Sequence, residues 1–408
     1  MGNAVKLTDA NLAVIEADFA ASGKADKIYF DEDLPGFGLR LRAGSKKKVW
    51  LCRYDHDGIQ RKFKIGYAAR LTAEQARKKA KMVMAEVILG GDPQAKKAEE
   101  RRKSHFTLRS VANQYLQYQE KKLRPKSLKE AQRYLLKSFR SLHVMPIHKI
   151  ARRDVAVILT NLAFKNGPIA AARSRAILSA LFTWAKGEGL IEGDNPVAGT
   201  NNPAQGISAR DRVLSDSELV AVWNACGDDE GGRIVKLLML TGARREEVGG
   251  MQRVELDRDN GTWTIPASRT KNRREHTLTL PGLAWSIIEK IPHRDSDRLF
   301  GTGARGYNNW DKAKKALDRR CQIAPWRLHD LRRTVATRMA DIGVQPHIIE
   351  AVLNHVSGHK AGVAGVYNRS AYTRDVKHAL DIWADHVASI VSGEERKIIQ
   401  FPAETSGM

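Results

Sequence analysis

Apolar positions change their period three times along this chain. Near the N-terminus they alternate. In GFGLRLRA, Leu39 and Leu41 take one face and Arg40 and Arg42 the other, the two-residue period of a strand. KKVWLCRYDHDGIQRKFKIG continues as two strands joined at DHDG, with Phe63 and Ile65 alternating with Lys62 and Lys64. LTAEQARKKAKMVMAEVILGGDP then switches to helical spacing. A capping box of Thr72 and Gln75 opens this helix, and Gly90, Gly91 and Pro93 stop it. The pattern predicts an α+β domain over residues 1–93, a small antiparallel sheet plus a helix. Its basic sheet face suits either a DNA groove or plain solvation.

QAKKAEERRKSH is polar and charge-dense, so 94–104 reads as a linker. From 105 to 205 every apolar stripe has helical spacing, in TLRSVANQYLQYQEKK, SLKEAQRYLLKSF, RRDVAVILTNLAF and AAARSRAILSALFTWAKGEGL. Ser127 and Glu130 read as a second capping box. This predicts an all-α middle domain that IEGDNPVAG closes with turn residues. The third domain, 211–391, opens where Ser215 and Glu218 cap a helix. It is mainly α with one β-meander, in VELDRDNGTWTIPASRTKNRREHTLTLP. In its closing helix Val376, Leu380, Trp383, Val387 and Ile390 form one stripe. Residues 392–408 read as a tail.

Charge changes the picture from fold to partner. The formal net charge is +23 and the pI about 10.0, which suits a polyanion, nucleic acid first and a membrane surface second. No apolar run approaches the roughly 20 residues of a bilayer span, and MGNAVKLTDANLAVIEADF does not read as a signal peptide. Cys52, Cys226 and Cys321 are far apart and form no C-x-x-C, as reduced thiols of a cytosolic protein would be.

Several stretches could carry chemistry. In LLMLTGARREEVGGM the helix over Ile234–Leu240 breaks at Thr241-Gly242, and Arg244 and Glu247 follow three apart. Alone they could be an exposed ion pair. In WRLHDLRRTVATRMADIGV, His329 and Arg332 share a helical face and offer phosphate a guanidinium fork beside an imidazole. Lys271 lies at the RTKN turn, where a solvated lysine is equally at home. In HIIEAVLNH the stripe Ile348, Ile349, Val352 and Leu353 brings His355 to the end of a buried helix, with His359, Tyr367 and Tyr372 beyond it. A tyrosine, with a pKa near 10, needs cations and a base to act as a nucleophile. Two decoys are set aside. GTGARG fits G-x-G-x-x-G but lacks a βαβ unit, and HVSGH lacks a third ligand, so no metal is expected. NRS, residues 368–370, is a glycosylation sequon only in a secreted protein.

The order TGARREE, TKN, HDLR, LNH, YNR resembles the signature of the tyrosine recombinases, the phage integrase family. DEDLPGFGLRLRAGSKKKVWLCRY and LTAEQARKKA…LGGDP resemble the arm-type DNA-binding domain of integrases from prophages and genomic islands. The resemblance implies that Tyr367 is the nucleophile, Arg244 and Arg332 the catalytic arginines and Lys271 the general acid. It gives His329 the H-x-x-R position and the tyrosine proton, His355 the second histidine position, and Glu247 a supporting role. Asn354 stands where the family usually has glycine. The gap from His355 to Tyr367 is longer than the family's commonest spacing, which leaves His359 as the alternative to His355.

The implied activity is site-specific recombination through a 3′-phosphotyrosine, integrating or excising a mobile element without metal or ATP. The implied partners are double-stranded DNA at core and arm sites, a homotetramer in which the closing helix docks onto a neighbouring protomer, and an excisionase and a DNA-bending protein as accessories. Arg40, Arg42, Lys62, Lys64 and Arg173 are the expected further DNA contacts, and the bacterial nucleoid the expected location. A type IB topoisomerase shares the constellation, and a DNA-binding regulator with an inactive site would share the charge.

Overall fold

In a computed structural model, residues 4–208, 210–303, 306–355 and 372–393 are described. His359 and Tyr367, with the Gly-containing stretch between them and the tail from 394 on, lie outside them. The chain divides into two units, 1–208 and 209–408, each taken by itself.

The first unit begins with α1 (Leu12–Ala21) and an antiparallel sheet in the order β1 (Asp26–Phe30), β2 (Phe37–Arg42), β3 (Val49–His56), β4 (Ile59–Tyr67). Alternation in the sequence becomes two faces. Leu39, Leu41, Trp50, Cys52 and Tyr54 are buried under α2 (Ala73–Ile88), which turns Ala73, Ala76 and Ala80 towards them. The Thr72–Gln75 capping box is present. Asp57 and Gly58 both take left-handed φ, 48° and 73°, as the tight hairpin turn at DHDG requires. On the opposite face Arg40 and Arg42 share the carboxylate of Asp26. Lys62 and Lys64 are exposed, with the Lys64 ammonium 3.5 Å above the Tyr67 ring.

The charge-dense stretch at 94–104 is itself helical. Asp92 caps α3 (Pro93–Ser104), accepting from the amides of Gln94 and Ala95, and Pro93 supplies a preset first turn. The middle segment follows as α4 (Leu108–Glu120), α5 (Pro125–Arg133), α6 (Arg152–Asn166) and α7 (Pro168–Gly187), closed over Val111, Phe139, Val155, Leu178 and Phe182. Ser127 is not a cap, because Pro125 starts α5 two residues earlier, with Arg124 at the cap position. Glu130 instead faces Arg133 and Arg173, 3.8 and 3.6 Å away.

The second unit contains α8 (Asp216–Ala225), capped by Ser215 with Glu218, then α9 (Glu230–Thr241) and the short α10 (Arg245–Gly249). A meander of β5 (Leu256–Asp257), β6 (Thr262–Ile265) and β7 (His276–Thr279) comes next. The helices α11 (Gly282–Glu289), α12 (Trp310–Cys321), α13 (Leu328–Asp341), α14 (Pro346–Val352) and α15 (Thr373–Ser392) follow among the described residues. Gly306, at the end of GTGARG, lies against the end of α10, where the amide of the next residue, Tyr307, donates to Gly249 O at 2.8 Å. The stripe of α15 packs within its own unit. Val376, Leu380, Trp383 and Val387 are buried, and the Trp383 indole donates to Met239 O at 2.7 Å. Each such side chain contributes on the order of 2 kcal/mol by leaving water. The apolar face of this helix is thus covered by the core of its own chain.

Candidate active site

The site assembles where α9 gives way to α10. Gly242 ends α9 with φ 61°, and a Cβ there would meet Leu353 Cδ2 at 2.9 Å and Val335 Cγ1 at 3.0 Å. Both the turn and the close approach therefore require glycine. Arg244 follows as the N-cap residue of α10. Its amide donates to Glu247 Oε2 and its Nη1 to Glu247 Oε1, each at 2.9 Å. Glu247 is buried, so this is not the exposed pair its spacing alone would allow. Arg269 braces the same corner: its Nη2 donates to Glu247 O at 2.7 Å, and its Nε lies 2.7 Å from the buried Glu255 carboxylate.

The α13 helix begins at Arg327, whose amide donates to Asp330 Oδ2. That start places His329 in the first turn and Arg332 one turn on. Arg332 is only 4% exposed. Its Nη1 donates to Gly242 O at 2.6 Å and its Nη2 to Leu353 O. Burial, and then the charge of Arg244, push it down to about 10, so it stays protonated at neutral pH.

The third component is the end of α14. Asn354 has φ 49°, its amide bonds Ala351 O, and the His355 amide bonds Glu350 O. This is the Schellman closure, in which one left-handed residue ends the helix. The last carbonyls of a helix lack partners within it, and here side chains supply them. His276 Nε2 donates to Ala351 O at 3.2 Å, Arg332 takes Leu353 O, and Arg244 Nη2 reaches Asn354 O at 3.4 Å. Asn272, beside Lys271 on the β6–β7 turn, donates to Asn354 Oδ1 at 2.6 Å and to Asn354 O at 3.1 Å.

Five of the six residues nominated as catalytic thus surround one helix end, and the sixth, Tyr367, lies outside the described residues. His355 is exposed at its edge. Partial desolvation, then the charges of Arg332, Arg244, His329 and Lys271, hold it below the usual histidine range. Desolvation and Arg332 hold His329 down as well. Both imidazoles are therefore neutral at pH 7, His329 able to accept a proton and His355 to donate a hydrogen bond. Each arginine spends two of its five N–H groups on the protein among the described residues, leaving three for an oxyanion. Fixed donors of this kind in a partly dry corner stabilise a charged transition state strongly.

Sequence reading missed Arg269, Asn272 and His276. The first two flank Lys271 in SRTKN, so proximity was the only signal. His276 follows alternation into the sheet but gives no hint of its contact with α14. Burial, the largest cause, lowers its pKa to about 4. Its unfolded value is near 6.5, so the unfolded chain binds the extra proton between the two. Stability from this group is fully present above about pH 6.5 and is lost as pH falls towards 4. Acid melting of the wild type should therefore fall steeply over that window, by up to about 3 kcal/mol. His276→Gln should flatten the curve. A wild-type curve flat between pH 6.5 and 4 would refute the assignment.

Comparison with known proteins gives the same outline. Residues 7–100 match an Arm DNA-binding domain, 108–201 a Phage integrase central domain and 217–374 the Phage integrase family. The prophage integrase IntA of Escherichia coli K12 is 32% identical over 159 residues, 38% of each chain. The integrase of Shigella phage Sf6 is 24% identical over 376 residues, 86% of this chain and 93% of that one. Among solved structures, a lambda integrase tetramer bound to a Holliday junction has a TM-score of 0.54 at 18% identity, covering 79% of this chain and 96% of that one. A lambda integrase dimer bound to a COC' core site gives 0.53 at 18%, covering 84% and 96%. At these identities the structural likeness speaks for the fold, while the three consecutive domain matches carry the family. The chain belongs to the phage integrase family.

Proposed function

We propose that this chain is a site-specific DNA recombinase that breaks and rejoins strands through a 3′-phosphotyrosine. The observation that carries this reading is the convergence of Arg244, Arg332, His329, His355 and Lys271 on the end of α14. The Tyr367 hydroxyl oxygen attacks the scissile phosphorus, its proton passing to His329. Arg244, Arg332 and His355 donate to the nonbridging oxygens as charge builds there. The bond to the 5′-oxygen breaks, and Lys271 protonates the departing oxygen. The phosphotyrosine ester keeps the bond energy, so a 5′-hydroxyl from another duplex reverses the step without ATP. The two guanidiniums fill the role of metal ions in many nucleases. Exchange of two duplexes calls for four protomers, and an excisionase and a DNA-bending protein suit the directionality such a reaction needs. The setting that fits is the bacterial nucleoid, and no described helix is long and apolar enough to cross a membrane.

The test is incubation in EDTA with attachment-site DNA nicked beside the scissile phosphate. A denaturation-resistant protein–DNA adduct and recombinant product are expected. Relaxation of supercoils without recombinants would make the enzyme a topoisomerase, and DNA binding without adduct would make it a regulator.

A further inference from the structure

Lys271 lies on an exposed turn, where a four-carbon ammonium has little of its own to hold it. The turn carrying it, though, is fastened at both ends. Upstream, Arg269 ties it to α10 through Glu247 O and Gly250 O. Within the turn, Thr270 Oγ1 donates to Arg274 O at 2.7 Å and Asn272 Oδ1 accepts the Arg274 amide at 3.2 Å. Across the site, Asn272 Nδ2 bonds both the side-chain oxygen and the carbonyl of Asn354, at 2.6 and 3.1 Å. The same carbonyl accepts from Arg244.

Asn354 would not need its side chain to end α14. The left-handed position asks only for a residue that tolerates φ 49°, and glycine does so at no steric cost. Asparagine tolerates it less well, yet adds an amide that reaches the residue next to Lys271. Two residues 82 apart in sequence thus join the turn of Lys271 to the helix end that carries His355.

We propose that Asn272 and Asn354 form a latch that positions Lys271 over the leaving 5′-oxygen, coupling the proton donor to the end of α14. Both are positioning residues. The latch sets the turn, and Lys271 does the protonation. The inference rests on the reading of Lys271 as the general acid. A 1 Å misplacement of a reacting group can cost about 100-fold, so loss of the latch is expected to slow cleavage by about 10- to 100-fold.

The experiment compares adduct formation on nicked DNA with an ordinary 5′-oxygen leaving group and with sulfur in its place. A thiolate leaves without a proton, so a defect in proton donation disappears on the sulfur substrate, whereas a general structural defect remains. The variants are Asn354→Gly, which suits the φ of this position and removes the side-chain half of the latch, and Asn272→Ala, which removes both of its bonds. Lys271→Ala is the reference, and thermal melting of each is recorded. Expected are slow cleavage of the oxygen substrate by all three, recovery to within about twofold of wild type on sulfur, and an unchanged melting temperature for Asn354→Gly. If Lys271→Ala recovers on sulfur but Asn354→Gly is slow on both substrates, or slow on neither, the latch is overturned. If Lys271→Ala itself fails to recover, the general-acid reading falls and the latch's role falls with it.

Discussion

Arg332→Lys should lower covalent adduct formation by at least about 100-fold, and Arg332→Ala by about 1,000-fold or more, losses typical of removing fixed donors to a developing oxyanion. The reason is geometric. One guanidinium spans Gly242 O and Leu353 O, carbonyls on two separate segments, and keeps N–H groups that these two bonds do not use. A lysine has a single nitrogen and cannot make that fork. Alanine would leave two buried carbonyls unpaired, at about 1–3 kcal/mol each, so melting should drop sharply as well. Lysine should recover part of the stability but little of the rate. The same burial and the Arg244 charge that depress Arg332 would depress a lysine there too. The residual activity of Arg332→Lys should then decline as pH rises through that lowered value, relative to wild type. A lysine variant with near wild-type rates would mean that position 332 supplies only charge.

Tyr367→Phe should abolish the adduct, a loss on the order of 10⁴ or more, as expected when an enzyme is stripped of its nucleophile. DNA affinity should stay unchanged, because the hydroxyl is spent on chemistry and not on binding. Tyr372→Phe is the matched control. Tyr372 is the N-cap residue of α15 with φ 48°, and its ring lies 5.1 Å from that of His347 against the core. Its place is structural, so the Tyr372 variant should keep adduct formation within a few fold of wild type. Gel analysis of nicked-substrate reactions reads both. An adduct surviving Tyr367→Phe and lost in Tyr372→Phe would reverse the assignment.

Local signals in the chain were legible wherever the physics was local. Periods of 2.0 and 3.6 gave the sheet of the first domain, the helical middle segment and the buried stripe of α15. Capping boxes at Thr72 and Ser215 named helix starts to the residue, because those hydrogen bonds close within three positions. The Ser127 reading failed for a local reason too, since Pro125 competes for the same helix start and wins.

By itself, then, the sequence determined the elements and their order, and the residue types that phosphate chemistry needs. It also determined the family, through five short motifs in order. Only the tertiary structure decided what those residues do for one another. Arg244 at a helix cap reaches a carbonyl 110 positions on, Arg332 fastens two segments, and Asn272 finds Asn354. It also decided that α15 covers its own core. These contacts join segments tens of residues apart, and they follow from how three helix ends and one turn pack together. Neither hydrophobic period nor local capping carries that information, because both act over a few residues while the site is built from the ends of elements that meet only once the core has closed.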